Sequence, residues 1–429
     1  MNERWVVVLN LSVVSAFVFS GVNVVSPILP QYAMTFNVPV ALTGWAISSY
    51  AMARVVTDLP AGMFSDKYGR KKVMVTGLTT VTFSSIVAGL APTYLVLILA
   101  RALGGLGSAL YITSATSWLA QISHGSGRGK MMSTHSSMIF MGMAAGPAVG
   151  GFTAAYGGIQ APFYVYALLT AVGVVATIPL HEPILGNDSH ARRLLWSDLK
   201  TVFSNRSFIL VSFSVFALYF LRSGVRSTLL PLYASINLGL GEDQIGLLMT
   251  AAMIATGLLS FPSGWLSDRI GRKIPIMTCI FSSALIVLLV PFQNSMKSLL
   301  MFMVAYGFAT GLQGSISAWP ADVAPSDKMG TAMGVYRFIG DLGFFLGPIT
   351  VTYVSDYFNP NLITFQPFVI SSIIATVAGI ILIKAKDPSR KTHKRSKRAK
   401  GDADNRCKAT CANTPKTRNG RERQVSACY

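Results

Sequence analysis

The sequence predicts an all-α polytopic membrane protein whose twelve transmembrane helices form two pseudo-symmetric six-helix bundles, and three observations carry that expectation. The first is composition: only 12% of the 429 residues are charged and 52% are hydrophobic, with a mean hydropathy of +0.50, whereas a soluble chain is roughly one-quarter charged. The second is succession. Crossing the hydrocarbon core as a helix takes about 20 mostly apolar residues, and runs of that kind follow one another here with short polar joints between them. The third is an internal repeat: GMFSDKYGRKK begins at Gly62 and GWLSDRIGRKI at Gly264, 264 − 62 = 202 residues later.

Taken in order, the first span is expected over 5–31; it runs from Trp5 to Pro30 without a small-residue cleavage site, so it reads as a retained span and not a signal peptide. The second, 41–64, carries Arg54 and Asp58, and the third, 73–91, follows the first Gly-Arg-Lys turn. The fourth, 94–120, contains RALGGLGSA from Arg101; the fifth, 132–155, contains GMAAGPAVGG; the sixth is 161–180. After a basic joint the seventh, 208–236, carries Arg222 and Arg226, and the eighth, ninth and tenth are 244–266, 274–292 and 298–319. The eleventh, 330–354, holds Arg337 and Asp341, and the twelfth is 364–384. The corresponding domains are a six-helix bundle over 1–180, a cytoplasmic linker over 181–207, a second bundle over 208–385 and a disordered tail over 386–429.

Charge orients the spans. An even number puts both termini on one side, and joints on that side hold fourteen Lys or Arg residues, whereas those on the other hold only Lys297. Cytoplasmic joints keep such residues in excess, so both termini are expected in the cytoplasm of a multi-pass protein of the plasma (inner) membrane. The net charge of +19 does not point to nucleic acid, because fourteen Lys or Arg lie between Lys386 and Arg423 in a tail with too few apolar residues to fold alone. That tail is placed to touch anionic lipid. The four cysteines give no disulfide framework, and Cys407 with Cys411 makes too small a ligand set for a metal.

The repeat extends well beyond the opening pair. LPQYA at Leu29 matches LPLYA at Leu230, Trp118 matches Trp319, and GMAAGP at Gly142 matches GFFLGP at Gly343, all at an offset of 201. Six being even, both halves enter the membrane in the same sense and are related by an axis along the membrane normal. The cleft between them is the natural place for a substrate.

With the repeated turn and the twelve spans in place, the chain resembles the major facilitator superfamily of secondary transporters over about residues 5–385. The family's loop signature, a Gly, an acidic residue four positions on, then Gly-Arg-Lys or Arg, is met by Gly62, Asp66, Gly69, Arg70 and Lys71, and again by Gly264, Asp268, Gly271, Arg272 and Lys273. The resemblance implies a cytoplasmic latch that closes in the outward-open state. Physically, Gly62 and Gly264 permit close backbone approach, Asp66 and Asp268 can accept hydrogen bonds from Arg or a helix N-terminus, and Gly69 and Gly271 permit a tight turn.

Ionisable groups in hydrocarbon are costly and usually pair or face a cavity. Arg54 and Asp58 are four residues apart, as are Arg337 and Asp341, so each pair lies along one helical face. Counting ~1.5 Å per residue from the cytoplasmic ends, Asp58 and Arg337 lie about 10 Å deep and Arg54 and Asp341 about 16 to 18 Å. In the resembled fold these two spans are neighbours, so Arg54 is expected to meet Asp341, and Asp58 to meet Arg337. A carboxylate stripped of its guanidinium while still buried takes up a proton, which makes Asp58 and Asp341 candidate proton carriers and Arg54 and Arg337 their partners; a permanent structural lock is the alternative. Arg101 matches a family pattern linked to proton coupling, with Gly104 where a Gln often stands, and is otherwise expected to anchor Asp66 near the cytoplasm. Arg222 and Arg226 have no acidic partner in their own span, and so favour either an anionic substrate or lipid headgroup, or pairing elsewhere.

Gly142, Gly146, Pro147, Gly150 and Gly151 resemble the family's antiporter motif, with Ser133 in place of its earlier glycine. That likeness implies a proton-driven exporter. Tyr219, Tyr306 and Phe140 are candidate cavity residues beside Arg222 and Arg226, suiting amphipathic or aromatic compounds. The expected function is therefore proton-coupled efflux of drug-like small molecules by alternating access, by a monomer that uses the proton gradient and no cofactor. The alternatives are an uptake symporter for an organic anion and a sensor of the same fold. An enzyme is not expected: no GxxxxGK[ST] or HExxH pattern exists, and the five His residues sit at or near joints and the tail.

Overall fold

The computed structural model describes residues 3–123, 128–180, 202–316, 318–323 and 329–385, which are helical with short joints and contain no strand. The helices are α1 (Glu3–Val25), α2 (Leu29–Met34), α3 (Val40–Tyr68), α4 (Arg70–Gly89), α5 (Tyr94–Ile122), α6 (Arg128–Gly157) and α7 (Ala161–Thr177). After the undescribed residues 181–201 come α8 (Arg206–Phe220), a π-helical stretch (Leu221–Leu229), α9 (Leu230–Ile236), α10 (Glu242–Ile270), α11 (Lys273–Leu289), α12 (Met296–Gly311), α13 (Ala318–Val323), α14 (Met329–Phe358) and α15 (Gln366–Ile383). Among the described residues nine helices are long and apolar enough to cross a membrane, and α7 is a shorter apolar one. With α3, whose length includes Arg54 and Asp58, and the 16-residue α12, they make twelve rods at the expected positions. The tail expected over 386–429 lies outside the described residues, as does most of the joint expected over 181–207.

Two of the expected spans are interrupted, each for a local reason. α1 ends at Val25 and the chain turns before α2 begins at Leu29, because Pro27 has no amide hydrogen to donate and its ring crowds the preceding turn. The tenth span stops at Gly311, passes through a 3-10 turn over Leu312–Ser315 and resumes as α13. Gly311 and Gly314 favour helix weakly but let the chain lie on α10, where a Cβ at Gly314 would stand 2.6 Å from the Ser260 carbonyl oxygen.

Packing follows the repeat. In the first half α1 packs on α6 and α7, and α5 on α3 and α4; in the second α14 packs on α8, α10 on α12, and α11 on α15. Buried apolar side chains form two clusters among residues 8–180 and a third among 202–385 that also takes in Val40. Matched positions do matched work. The Tyr32 hydroxyl donates to the Ala88 carbonyl at 3.0 Å and the Tyr233 hydroxyl to that of Gln293 at 2.9 Å, each tying a short helix to the end of a neighbouring rod. Trp118 and Trp319 are both wholly buried.

The halves meet along two seams, α3 against α14 and α6 against α10. Call the end where α1 and α8 begin and α15 ends the terminal face. Away from it both seams are tight. Ser48 donates to the Phe345 carbonyl at 2.6 Å, Thr352 to that of Ala41 at 3.0 Å, and a Cβ at Gly246 would lie 2.5 Å from the Pro147 carbonyl oxygen. Toward the terminal face they part: a Cβ at Gly264 or Gly334 would meet nothing within 4 Å, and Met63 and Trp265 are exposed. Among the described residues the seams are thus sealed away from the terminal face and parted toward it.

Candidate functional site

Between the halves lies a cavity of about 200 Å³. α1 contributes Phe19 and Asn23, and the turn after it Ser26; α3 contributes Tyr50 and Arg54; α5 contributes Ser108; the seventh rod contributes Tyr219, Arg222, Arg226 and Ser227; α14 contributes Arg337, Asp341 and Phe344. Every one of these elements belongs to a rod near the pseudo-symmetry axis. Four arginines and one aspartate line the wall, so its fixed charge is strongly positive.

Arg54 and Asp341 meet across the seam with Nη2 and Oδ2 3.5 Å apart, the aspartate almost fully buried. The expected partner pairing of Asp58 with Arg337 is not formed: no ion pair joins them among the described residues. Asp58 instead stands within the influence of Arg54, Arg337 and Asp341 together, and its Oδ1 is buried without a hydrogen-bond partner. Depth explains the difference. Arg54 and Asp341 sit where the seam is still closed, whereas Asp58 and Arg337 sit one helical turn nearer the open end.

Both copies of the repeated turn adopt the conformation for which glycine is suited: Gly69 has φ 92° and Gly271 φ 98°, a region that a Cβ makes unfavourable. Three of the basic residues have partners in their own half. Arg70 donates to the Gln121 side chain at the end of α5, Arg272 pairs with Asp322 at 2.7 Å, and Lys273 donates to the carbonyls of Ile383 and Ala385. Asp66 and Asp268 are exposed and make no ion pair among the described residues. The close approach expected at Gly62 and Gly264 is absent here, since only Thr113 comes within 4 Å of a Cβ at Gly62; these residues lie where the halves have parted.

The glycine motif of α6 is a packing ridge. A Cβ would stand 2.4 Å from the Ala16 carbonyl oxygen at Gly142, 2.8 Å from that of Ser20 at Gly146, and 2.0 Å from that of Val24 at Gly150. Gly151 faces the other way, onto the Glu242 backbone of α10, and Pro147 lines the second seam. Gly343 and Gly347 repeat the arrangement on the Phe216 and Phe220 carbonyls of α8.

Three placements differ from the sequence reading. Arg101 does not anchor Asp66: α5 enters from the sealed end, so Arg101 lies near that end, its Nε donating to the Ala46 carbonyl at 3.4 Å and its guanidinium stacked over the Tyr50 ring. Tyr306 is a core residue outside the cavity wall, its hydroxyl donating to the Leu221 carbonyl at 3.4 Å. Phe140 is also outside the wall and fills the space over Gly257 in the second seam. Conversely, Asn23, Ser26, Tyr50, Ser108 and Phe344 line the cavity and were not singled out; small polar residues at matched helical depth on inner rods were the only available signal.

Comparison with known proteins agrees with this architecture. The family model described as Major Facilitator Superfamily matches residues 11–235 and 211–420. The chain is 27% identical to an uncharacterized MFS-type transporter of Methanocaldococcus jannaschii, covering 84% of this chain and 93% of the relative. It is 23% identical to multidrug resistance protein 2 of Bacillus subtilis, covering 77% and 84%, and 23% identical to the quinolone resistance protein NorA of Staphylococcus aureus, covering 85% and 92%. Among solved structures, the nucleoside transporter NupG superposes with a TM-score of 0.73 at 18% identity, covering 90% of this chain and all of that one. A bacterial homolog of the lysosomal transporter Spinster in an inward-facing, occupied conformation gives 0.73 at 16% identity, covering 90% and 97%.

Proposed function

The chain belongs to the major facilitator superfamily and is a membrane transporter of small molecules, and from that premise we propose that it exports amphipathic compounds in exchange for protons by alternating access. The observation that carries the proposal is the Arg54–Asp341 ion pair at the boundary between the sealed and the open parts of the seam. With Asp58 and Arg337 it forms a four-membered charge cluster with two possible pairings. In the present state the deeper pair is closed and the shallower one apart. Closure at the terminal face would bring Asp58 to Arg337 while the other end opens and Asp341 loses Arg54. Asp341, once it has lost Arg54, takes a proton from the far compartment and gives it up when the pair re-forms in the state open to the terminal face. Each cycle thus moves a proton against the cargo, while Asp58 engages and releases Arg337 as the gate of that step. The released turns at Gly62 and Gly264 supply the closing contacts.

Efflux is supported by the two drug-resistance relatives and by the glycine ridge of α6, which resembles an antiporter motif. The basic joints support a terminal face, and with it an open mouth, on the cytoplasmic side of the plasma membrane, where an exporter collects its cargo. No cofactor enters the scheme, and one chain suffices, because each seam is complete within it.

Inside-out membrane vesicles test this. On acidifying the lumen, vesicles with the wild-type protein should accumulate a fluorescent amphipathic dye, and Asp341→Asn and Asp58→Asn should abolish accumulation at unchanged expression. Normal proton-driven accumulation by both variants would overturn the coupling role. Accumulation only by cells of native orientation would reverse the direction.

A further inference from the structure

Resting on the transporter reading but independent of direction or coupling, we propose that Arg222 and Arg226 bind the carboxylate or phosphate group of a small organic anion. Arg226 is only 8% exposed and Arg222 is half-buried, and both line the cavity. The hydrogen bond recorded for the Arg226 guanidinium runs from Nη1 to the Met253 sulfur at 3.1 Å. A thioether is a weak acceptor with no charge, so it leaves a desolvated cation uncompensated, an unfavourable state that an arriving anion relieves.

The cavity cannot supply that anion itself. Among the described residues its one lining carboxylate, Asp341, is bound to Arg54, and the neighbouring Asp58 interacts with Arg54 and Arg337. Even counting Asp58, four guanidinium groups face two carboxylates. Tyr306, near Arg226 in the core, offers a phenol and no negative charge.

Symmetry sharpens the assignment. At the repeat offset of 201, Arg222 corresponds to Gly21 (222 − 201) and Arg226 to Val25 (226 − 201). The first half fills these positions with a glycine under the Tyr166 ring and a fully buried valine. Nothing in the shared scaffold therefore demands two arginines on the seventh rod; they are additions to one half. They also sit on the nine-residue π-helical stretch Leu221–Leu229, and π segments recur at functional sites because the looser winding re-aims side chains. Guanidinium groups bind carboxylate and phosphate through paired hydrogen bonds, and the hydroxyl of Ser227 and that of Ser26 across the axis are available beside Arg226.

The test is a matched pair of probes, 2-naphthoate and its neutral analogue 2-naphthamide, titrated calorimetrically into the purified full chain in an uncharged maltoside detergent. The wild type should bind the anion at least tenfold more tightly. Arg226→Gln and Arg222→Gln should each reduce that ratio toward one while leaving the amide's affinity unchanged, and Arg226→Lys should keep part of it. Equal affinities in the wild type, or an undiminished ratio in the double Gln variant, would overturn the site. Repeating the titration in nanodiscs separates the two sources of anion. Naphthoate binding that survives 30% phosphatidylglycerol supports a soluble ligand, whereas binding abolished there but kept in phosphatidylcholine assigns the arginines to lipid headgroups and overturns the organic-anion site. Flux of naphthoate in proteoliposomes is a separate arm: charge-selective binding without flux upholds the site and rejects transport, and flux without charge selectivity does the reverse.

Discussion

Gly150 and Gly264 lie at opposite extremes of crowding. A Cβ at Gly150 would stand 2.0 Å from the Val24 carbonyl oxygen, while at Gly264 it would meet nothing within 4 Å. Gly150→Ala must push α1 from α6, and overpacking of that kind costs about 1–3 kcal/mol; a clear fall in the thermal midpoint of the detergent-purified protein is expected. Gly264→Ala should leave that midpoint unchanged, since exposed substitutions stay within roughly 0.5 kcal/mol, yet slow transport if this turn closes against the other half. Gly271→Ala is a third case, for its backbone at φ 98° and ψ 157° strains a side-chain-bearing residue by about 1–3 kcal/mol with no clash required. The sequence made these turns legible because glycine and charge repeat at a fixed interval. It made Arg101 misleading: its motif was visible, but its depth depends on the direction of its span, which places it by Ala46 and Tyr50 at the sealed end. Phe140 and Tyr306 were misplaced because an aromatic residue on a rod buried on several sides can face cavity, seam or core with equal ease.

The same place in the two halves is built in two ways. Around Ser26–Ile28 the first rod breaks into α1 and α2, whereas the corresponding residues of the seventh rod, 227–229, continue as π-helix into α9. Pro27 explains the break. Its counterpart Thr228 (27 + 201) has an amide hydrogen, and its hydroxyl donates to the Ser223 carbonyl at 2.8 Å. Thr228→Pro should therefore convert the π stretch into a break like that of the first half. The expected readout is loss of the preference for naphthoate over naphthamide with the helical circular dichroism retained; an unchanged preference would show that the winding of this stretch does not position the arginines. Twelve rods and their ends could be read from apolar length and charge, but neither interruption nor π-winding could, because hydropathy records only which residues are apolar and not which carbonyls lack donors.

On the scale of the whole molecule, both seams are closed away from the terminal face and parted toward it among the described residues. If the sealed end must part during each cycle, Ala41→Cys with Thr352→Cys, joined by oxidation in a background lacking the tail cysteines, should stop transport, and reductant should restore it; the Thr352 hydroxyl lies 3.0 Å from the Ala41 carbonyl oxygen. Undiminished transport by the crosslinked protein would exclude rocking about this end. The seams are nonetheless unlike at their midpoints. Asp341 on α14 corresponds to Phe140 on α6 (341 − 201), and Arg54 on α3 to Thr256 on α10 (54 + 202), the residue before Gly257. Where one seam holds an ion pair, the other seats an aromatic ring in a glycine notch, where a Cβ would come within 2.1 Å of it. A ring in a notch responds to neither voltage nor acidity and can only pivot. If the halves rock as proposed, the second seam is a greased pin and the first an electrical catch, and changes in pH or salt should alter how often the door swings while leaving the line about which it turns where it is.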